Sequence, residues 1–494
     1  MTSPLFMPTV TVSPPATHSV TLSLISHTNA GKTTLARTLL RRDVGEVRDA
    51  PHVTLFNEAH HLISDGDRVL TMWDTPGFGD SARLLKRLKR FDQPILWFLQ
   101  QTWDRFTDKP LWCSQQALKN VKEEADAVLY LVNAAESPDS AGYITQEMEI
   151  LGWVGKPVIV LLNQTGPPHE PHVEAAEMRL WKDHLRRFSG VREVLNFDAF
   201  ARCWIQESTL MDGIADLLPE GKTASFDALK KAWHRRNLDV FERSVKMLAS
   251  QLTSSVLDGV EVRAETIVER MGVGRGSINK EYADARQVLA SKLAERLELA
   301  TNELITFHGL EGAAEKEMQM VARESFHQPE QVSESIWGVV GTFAGGAMGG
   351  LLADLKLGGM TFGGGALIGG LATGLGAYAL IRTYNLVRSG DGKLHWSKEH
   401  FREQARLIML CYLAVAHFGR GRGEWRTGDR PGHWHEVCES VVERHRDALD
   451  DVWKLAVEKQ AMPDVVFRSM QQVMLSCGRE VLTELYPSNP VPWR

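Results

Sequence analysis

Residues 25–35 read ISHTNAGKTTL, and the reading of this stretch decides the fold. It departs by one residue from the pattern G-x-x-x-x-G-K-[ST]. Ser26 stands at the first position; Gly31, Lys32 and Thr33 fill the rest. An apolar run, VTLSLIS (20–26), precedes it, and an apolar helical pattern, TTLARTLLRR (33–42), follows. A strand–turn–helix with such a turn is a phosphate cradle. Its glycines let backbone N–H groups close around phosphate oxygens, and the helix N-terminus adds partial positive charge. Asn29, Ala30, Gly31, Lys32, Thr33 and Thr34 form the cup. Lys32 reaches the outer phosphates and the Thr33 hydroxyl is a Mg²⁺ ligand. Ser26 begins the turn, where a small residue replaces glycine at modest cost.

Three further runs, RVLTMWD (68–74), AVLYLVN (127–133) and PVIVLLN (157–163), are almost continuously apolar. Such runs suit parallel strands buried on both faces, and their alternation with helical stretches predicts an α/β doubly wound, mostly parallel sheet over 19–222. The stretch WDTPGFGD (73–80) places Asp74 at the end of a strand, where its carboxylate holds Mg²⁺ through water. Gly77 then turns its N–H toward a γ-phosphate. Between the two motifs, DAPHVTLFNE (49–58) offers Thr54 as a residue that closes on Mg²⁺.

These motifs resemble those of GTPases of the Era/TrmE/EngA-like group, in the translation-factor-related P-loop class, over about residues 19–220. The resemblance implies GTP/GDP and Mg²⁺ as ligands and a switch function. Thr54 matches the switch I threonine, and Asp74 and Gly77 match switch II, so that Lys32, Thr54 and Gly77 are the implied catalytic set. The loop NAGK (29–32) matches the TrmE type, which makes Asn29 a candidate K⁺ ligand; a purely loop-shaping asparagine is the other reading. Phe78 stands where Ras-like proteins place the water-orienting glutamine, which implies slow intrinsic hydrolysis.

In LLNQTG (161–166), Asn163 fits the base-reading motif N-K-x-D, Gln164 replaces its lysine and Gly166 replaces its aspartate. A lost charge-assisted pair is worth about 2–4 kcal/mol, which weakens discrimination against ATP or xanthine nucleotides more than it weakens phosphate binding. Glu170 is a candidate substitute, and DAFARC (198–203) a candidate base-contacting loop.

The remaining organisation follows from composition. Residues 1–18 are a Pro/Ser/Thr-rich tail without the pattern of a signal peptide. Residues 78–126 form an insertion after switch II. It joins a basic helix (Arg83, Lys86, Arg87, Lys89, Arg90) to an aromatic run (Trp97, Phe98, Trp103, Phe106, Trp112). This is either a docking surface or a satellite core with a solvated basic face. Helical patterns fill 223–334 and 390–494. Between them, 335–389 is a Gly-rich apolar hairpin. Its segment 335–381 holds fifteen of the chain's 41 glycines, spaced as for close helix–helix contact. It reads either as a membrane-inserting hairpin or as a tightly packed buried one. The whole arrangement resembles a bacterial family that joins this G domain to a C-terminal helical domain of unknown function.

A net charge of −6 and pI near 6.3 argue against a general nucleic-acid binder. Five scattered cysteines without C-x-x-C spacing predict a reduced, cytoplasmic setting, with inner-membrane association if the hairpin inserts. The expectation is a GTP-binding switch with low intrinsic hydrolysis. Its partners are a guanine nucleotide and a membrane or membrane protein, and its oligomeric state is open. The alternatives are a nucleotide-stabilised anchoring or pore-forming scaffold, and an ATP-using P-loop protein.

Overall fold

The computed structural model describes residues 19–41, 57–90, 109–165, 171–199, 203–262, 275–310, 386–418 and 432–487, with 489 and 493. Thr54, the aromatic residues 97–106, Gly166, Glu170, the Gly-rich hairpin up to residue 385 and residues 200–202 of the loop 198–203 lie outside them. The chain divides into two compact units. The first holds Met1–Thr165, Ala175–Ala199 and Gln206–Arg236; the second holds Gly166–Glu174, Phe200–Ile205 and Asn237–Arg494.

In the first unit, six strands form one sheet: β1 (Ser19–Ser26), β2 (Glu58–Asp65), β3 (Arg68–Asp74), β4 (Ala127–Asn133), β5 (Val158–Asn163) and β6 (Val191–Asn196). Their order is β2-β3-β1-β4-β5-β6, and β2 alone runs antiparallel. The central strands are buried along nearly their whole length, as β4 (AVLYLVN) and β5 (VIVLLN) show. This is the consequence of helices covering both faces of a parallel sheet. The edge strand β2 is exposed at alternate positions and reaches β3 through a two-residue turn, in which Gly66 supplies the positive φ (63°). Helices α1 (Lys32–Leu40), α2 (Ser81–Leu88), α3 (Lys109–Glu123), α4 (Gly142–Val154) and α5 (Pro171–Leu185) connect the strands. The core under α2–α4 joins Leu84, Leu88, Leu118, Tyr130, Ile144 and Leu151. The chain reverses its direction of travel across the sheet at β1. The carboxyl ends of β1, β3 and β4 meet there, the place where open α/β sheets bind ligands.

Helix α6 (Trp204–Ala215) and the 38-residue α7 (Glu220–Leu257) follow, and the division between the units falls within both. The second unit continues with β7 (Val260–Glu261), α8 (Arg275–Phe307), β8 (Leu386–Arg388), β9 (Lys393–Trp396) and helices α9 (Lys398–Ala416), α10 (Gly432–Arg444), α11 (Arg446–Trp453) and α12 (Pro463–Leu485). One apolar core gathers Phe241, Leu297, Phe401, Tyr412, Val441 and Met474. The helical reading of these regions stands, with one difference. β7, β9 and β8 form a small antiparallel sheet that helical periodicity does not announce, because its strands are two to four residues long. All five cysteines are buried free thiols. Among the described residues, no helix is long and apolar enough to cross a membrane.

Candidate functional site

The loop from His27 to Gly31 leaves the carboxyl end of β1 and turns into α1 through two left-handed residues, Asn29 (φ 66°) and Gly31 (φ 90°). Asparagine tolerates this region better than other side chains do, and its side chain here is exposed. Gly31 has no alternative: a Cβ there would lie 2.6 Å from Asn163 Nδ2. Ser26 does more than fit the turn. It is fully buried, and its Oγ accepts from Lys32 Nζ at 2.9 Å.

The loop after β3 closes against this cradle. Phe78 N–H donates to Ser26 O (3.0 Å), and Thr28 N–H donates to Phe78 O (3.3 Å). Thr75 Oγ1 anchors the start of the loop on Leu24 O (2.7 Å). The approach is close enough that a Cβ on Gly77 would stand 3.0 Å from Lys32 Nζ and 3.1 Å from Thr28 Cα. The Phe78 side chain lies wholly in the core, so it does not reach toward the cradle.

Asp74 sits at the end of β3, 1% exposed, with Oδ2 accepting from Thr33 Oγ1 at 2.6 Å. Its other oxygen, Oδ1, is buried without a hydrogen-bond partner. A buried orphan acceptor is costly to keep, and groups of this kind call for a ligand, water or ion. Burial pushes the Asp74 carboxyl up to about 6, against the pull of Lys32 and the Thr33 hydroxyl. Burial lowers the Lys32 ammonium, opposed by Asp74, Glu147 and Cys113. The hydroxyl–carboxylate pair Thr33–Asp74 is a hard-oxygen donor set, which fits Mg²⁺.

On the other flank, Asn163 at the end of β5 ties three segments together. Its Nδ2 donates to Ala30 O (2.7 Å), and its Oδ1 accepts from Ala199 N–H (2.7 Å). Gln164 follows in a left-handed conformation (φ 60°), its Nε2 4.0 Å from the Cβ position of Gly31. Asn29, Ala30, Gly31, Lys32, Thr33, Thr34, Asp74, Gly77, Asn163 and Gln164 are therefore gathered around one end of the sheet. Thr54 lies outside the described residues.

The structure adds a residue that sequence reasoning passed over. Glu147 on α4 is fully buried and binds three groups. His27 Nδ1 lies 2.7 Å from Oε1, Ser81 Oγ donates to the same oxygen, and Tyr130 OH donates to Oε2 at 2.5 Å. The His27 ring also stacks on Tyr143, with centroids 4.3 Å apart. Burial and the neighbouring carboxyl drive the Tyr130 hydroxyl well above its usual range. The signal was present: Ile144, Glu147, Met148 and Leu151 share one helical stripe, so a glutamate falls on the apolar face. The basic residues of α2 face outward: Arg83, Lys86, Arg87, Lys89 and Arg90 are exposed. No group of three or more metal-ligating His, Cys, Asp or Glu side chains occurs among the described residues.

Comparison with known proteins agrees with this geometry. Residues 21–164 match the 50S ribosome-binding GTPase family. They form a P-loop GTPase domain. A search of curated proteins finds no match. Among solved structures, the GTPase domain is similar to Aquifex aeolicus Era bound to GDP·AlF4⁻ (18% identity, 41% of this chain and 58% of that one, TM-score 0.30). It is also similar to NFeoB of S. thermophilus bound to mGMPPNP (18% identity, 45% and 77%, TM-score 0.23) and to Arabidopsis thaliana Toc33 (16% identity, 44% and 84%, TM-score 0.24). The chain thus spans 58% of the length of the Era structures it matches first. At such TM-scores these likenesses carry nothing further, and the family match carries the assignment.

Proposed function

We propose that this protein is a GTP-binding switch that hydrolyses GTP with Mg²⁺ at a low intrinsic rate. The observation that carries the reading is the joining of Thr33 to a buried Asp74 whose second oxygen has no partner, beside a lysine parked on Ser26. The match to a GTPase family supports it. When bound, Mg²⁺ would neutralise charge on the phosphates, held by Thr33 and, through water, by Asp74, with Thr54 completing the set. The chain's own groups do the rest. Lys32 Nζ exchanges Ser26 Oγ for an outer phosphate oxygen, and the amides of 29–34 cradle the chain of phosphates. The Gly77 N–H bonds the γ-phosphate, and all of these oppose the charge that develops as water attacks. Asn29, exposed in the loop, would serve as a K⁺ ligand. No side chain is assigned as general base, and a buried Phe78 leaves none at the glutamine position, which supports slow turnover.

The nucleotide state passes from Gly77 into the insertion 78–126 and on to the helical region. Residues 335–389 provide contact with a membrane or a membrane-bound partner. The test is single-turnover GTP hydrolysis by the full chain, with and without K⁺, for wild type and Lys32→Ala. Turnover that Lys32→Ala abolishes and K⁺ accelerates supports the reading. Tight binding without turnover under every cation refutes the hydrolytic part.

A further inference from the structure

Two loops meet on one buried carboxylate. His27 follows the last residue of β1 and belongs to the phosphate loop; Ser81 is the first residue of α2, just after Gly77 and Phe78. Glu147 Oε1 takes both. His27 Nδ1 lies 2.7 Å away, and the Ser81 hydroxyl donates to the same oxygen. The carboxylate is itself held from the sheet: Tyr130 on β4, fully buried, donates to Oε2 at 2.5 Å. Burial and Glu147 drive that phenol well above its ordinary range, so it stays a donor. Tyr143, one turn earlier on α4, stacks on the His27 ring and fixes its plane. Between the two arms, Phe78 N–H donates to Ser26 O, and Thr28 N–H donates to Phe78 O. Gly77 stands inside this bracket, where a Cβ would lie 3.0 Å from Lys32 Nζ. The peptide N–H offered to a γ-phosphate is therefore set from behind, by a carboxylate with no exposure of its own.

Resting on the reading of this domain as a GTP-binding switch, we propose that Glu147 is a positioning residue for the γ-phosphate. By joining His27 to Ser81 it presets Gly77 against the phosphate loop, and so sets how much more tightly the domain holds a triphosphate than a diphosphate. A diphosphate is gripped by the loop amides, Lys32 and Thr33. Only the third phosphate calls on residues 77–81. With the joint intact, these residues are already ordered when the γ-phosphate arrives. With either arm cut, binding has to order them, and that entropic cost falls on the triphosphate alone. Both arms act through one oxygen, so cutting both does no more than cutting one.

The experiment is isothermal titration of GDP, and of guanylyl imidodiphosphate as a GTP analogue that resists hydrolysis, into the full chain with Mg²⁺. Wild type is compared with Ser81→Ala, His27→Ala and the double variant. The ratio of analogue affinity to GDP affinity is expected to fall about tenfold in each single variant, the worth of one hydrogen bond to a charged group, and no further in the double variant. A merely structural role weakens both nucleotides by one factor and leaves the ratio unchanged; that result overturns the proposal. So does a double variant whose ratio falls by the product of the single effects, because the arms then act independently. Should Ser81→Ala not fold, His27→Ala decides alone, since its side chain is 29% exposed and its removal opens no core. Wild type that binds both nucleotides, with a ratio that neither substitution moves, defeats this joint only. Wild type that binds neither defeats the GTP-binding reading itself.

Discussion

Replacing Asp74 by asparagine should stabilise the nucleotide-free GTPase domain, and do so in a pH-dependent way. The folded carboxyl titrates at about 6, raised by burial from an ordinary value of 3.8. Between those values the folded state retains a proton that the unfolded state has released, so stability falls as pH rises through the window. At about 1.4 kcal/mol per pH unit, the full cost is about 3 kcal/mol at pH 7.5 and about 1 kcal/mol at pH 4.5. Asparagine keeps the shape and the bond from Thr33 without the buried charge, and so escapes that cost. Hydrogen exchange of the β1 and β3 amides, residues 19–26 and 68–74, reads this region within the full chain. Exchange through opening of the sheet should slow about 100-fold in Asp74→Asn at pH 7.5, and only several-fold at pH 4.5. Mg²⁺ with GTP should protect wild type and leave the variant unchanged. Equal protection of the two proteins at pH 7.5, or a gap that does not shrink on acidification, would refute the argument.

Glu147→Leu removes the acceptor shared by His27, Ser81 and Tyr130 and leaves buried donors unpaired; a loss of about 2–4 kcal/mol and faster exchange over residues 81–88 are expected. A neutral effect on both would mean that the carboxyl ties nothing together. Gly31→Ala places a Cβ 2.6 Å from Asn163 Nδ2 at a φ of 90°, and titration calorimetry should find nucleotide binding abolished. The second unit should respond to acid in the opposite sense to Asp74. Burial holds His400 at about 3 and His417 at about 4, below the ordinary 6.5. The unfolded state therefore binds the extra protons, and stability is complete above about pH 6.5 and lost as pH falls toward 4. Exchange over α9, residues 398–416, measured from pH 7 to 4.5 shows whether it does.

Much of the GTPase domain was legible because its physics is local. Strands buried on both faces leave unbroken apolar runs, and the runs at 68–74 and 127–133 coincide with β3 and β4. The phosphate loop is legible because backbone geometry forces glycine at position 31. The edge strand β2 was not, since EAHHLISD alternates weakly and carries two histidines; it forms through the hairpin turn at Gly66. The three-stranded sheet of the second unit escaped for a different reason. Pairs such as Val260 with Leu394 join residues more than a hundred apart, and no local period records that. At the site, the motif residues were readable one by one. The bond from Thr165 to Asp198 was not, because it depends on how two loops from separate strands meet. Ser26 reads as a tolerated departure from glycine, whereas its hydroxyl accepts from Lys32 Nζ.

The central claim is that the cradle from Asn29 to Thr34, with Thr33 and Asp74, grips a magnesium-bound guanosine triphosphate. Isothermal titration of GTP into the metal-loaded full chain tests it most directly. A saturable heat with one site per chain is expected, lost in Lys32→Ala and in Asp74→Asn. The absence of any heat with wild-type protein, or binding indifferent to both substitutions, would contradict it.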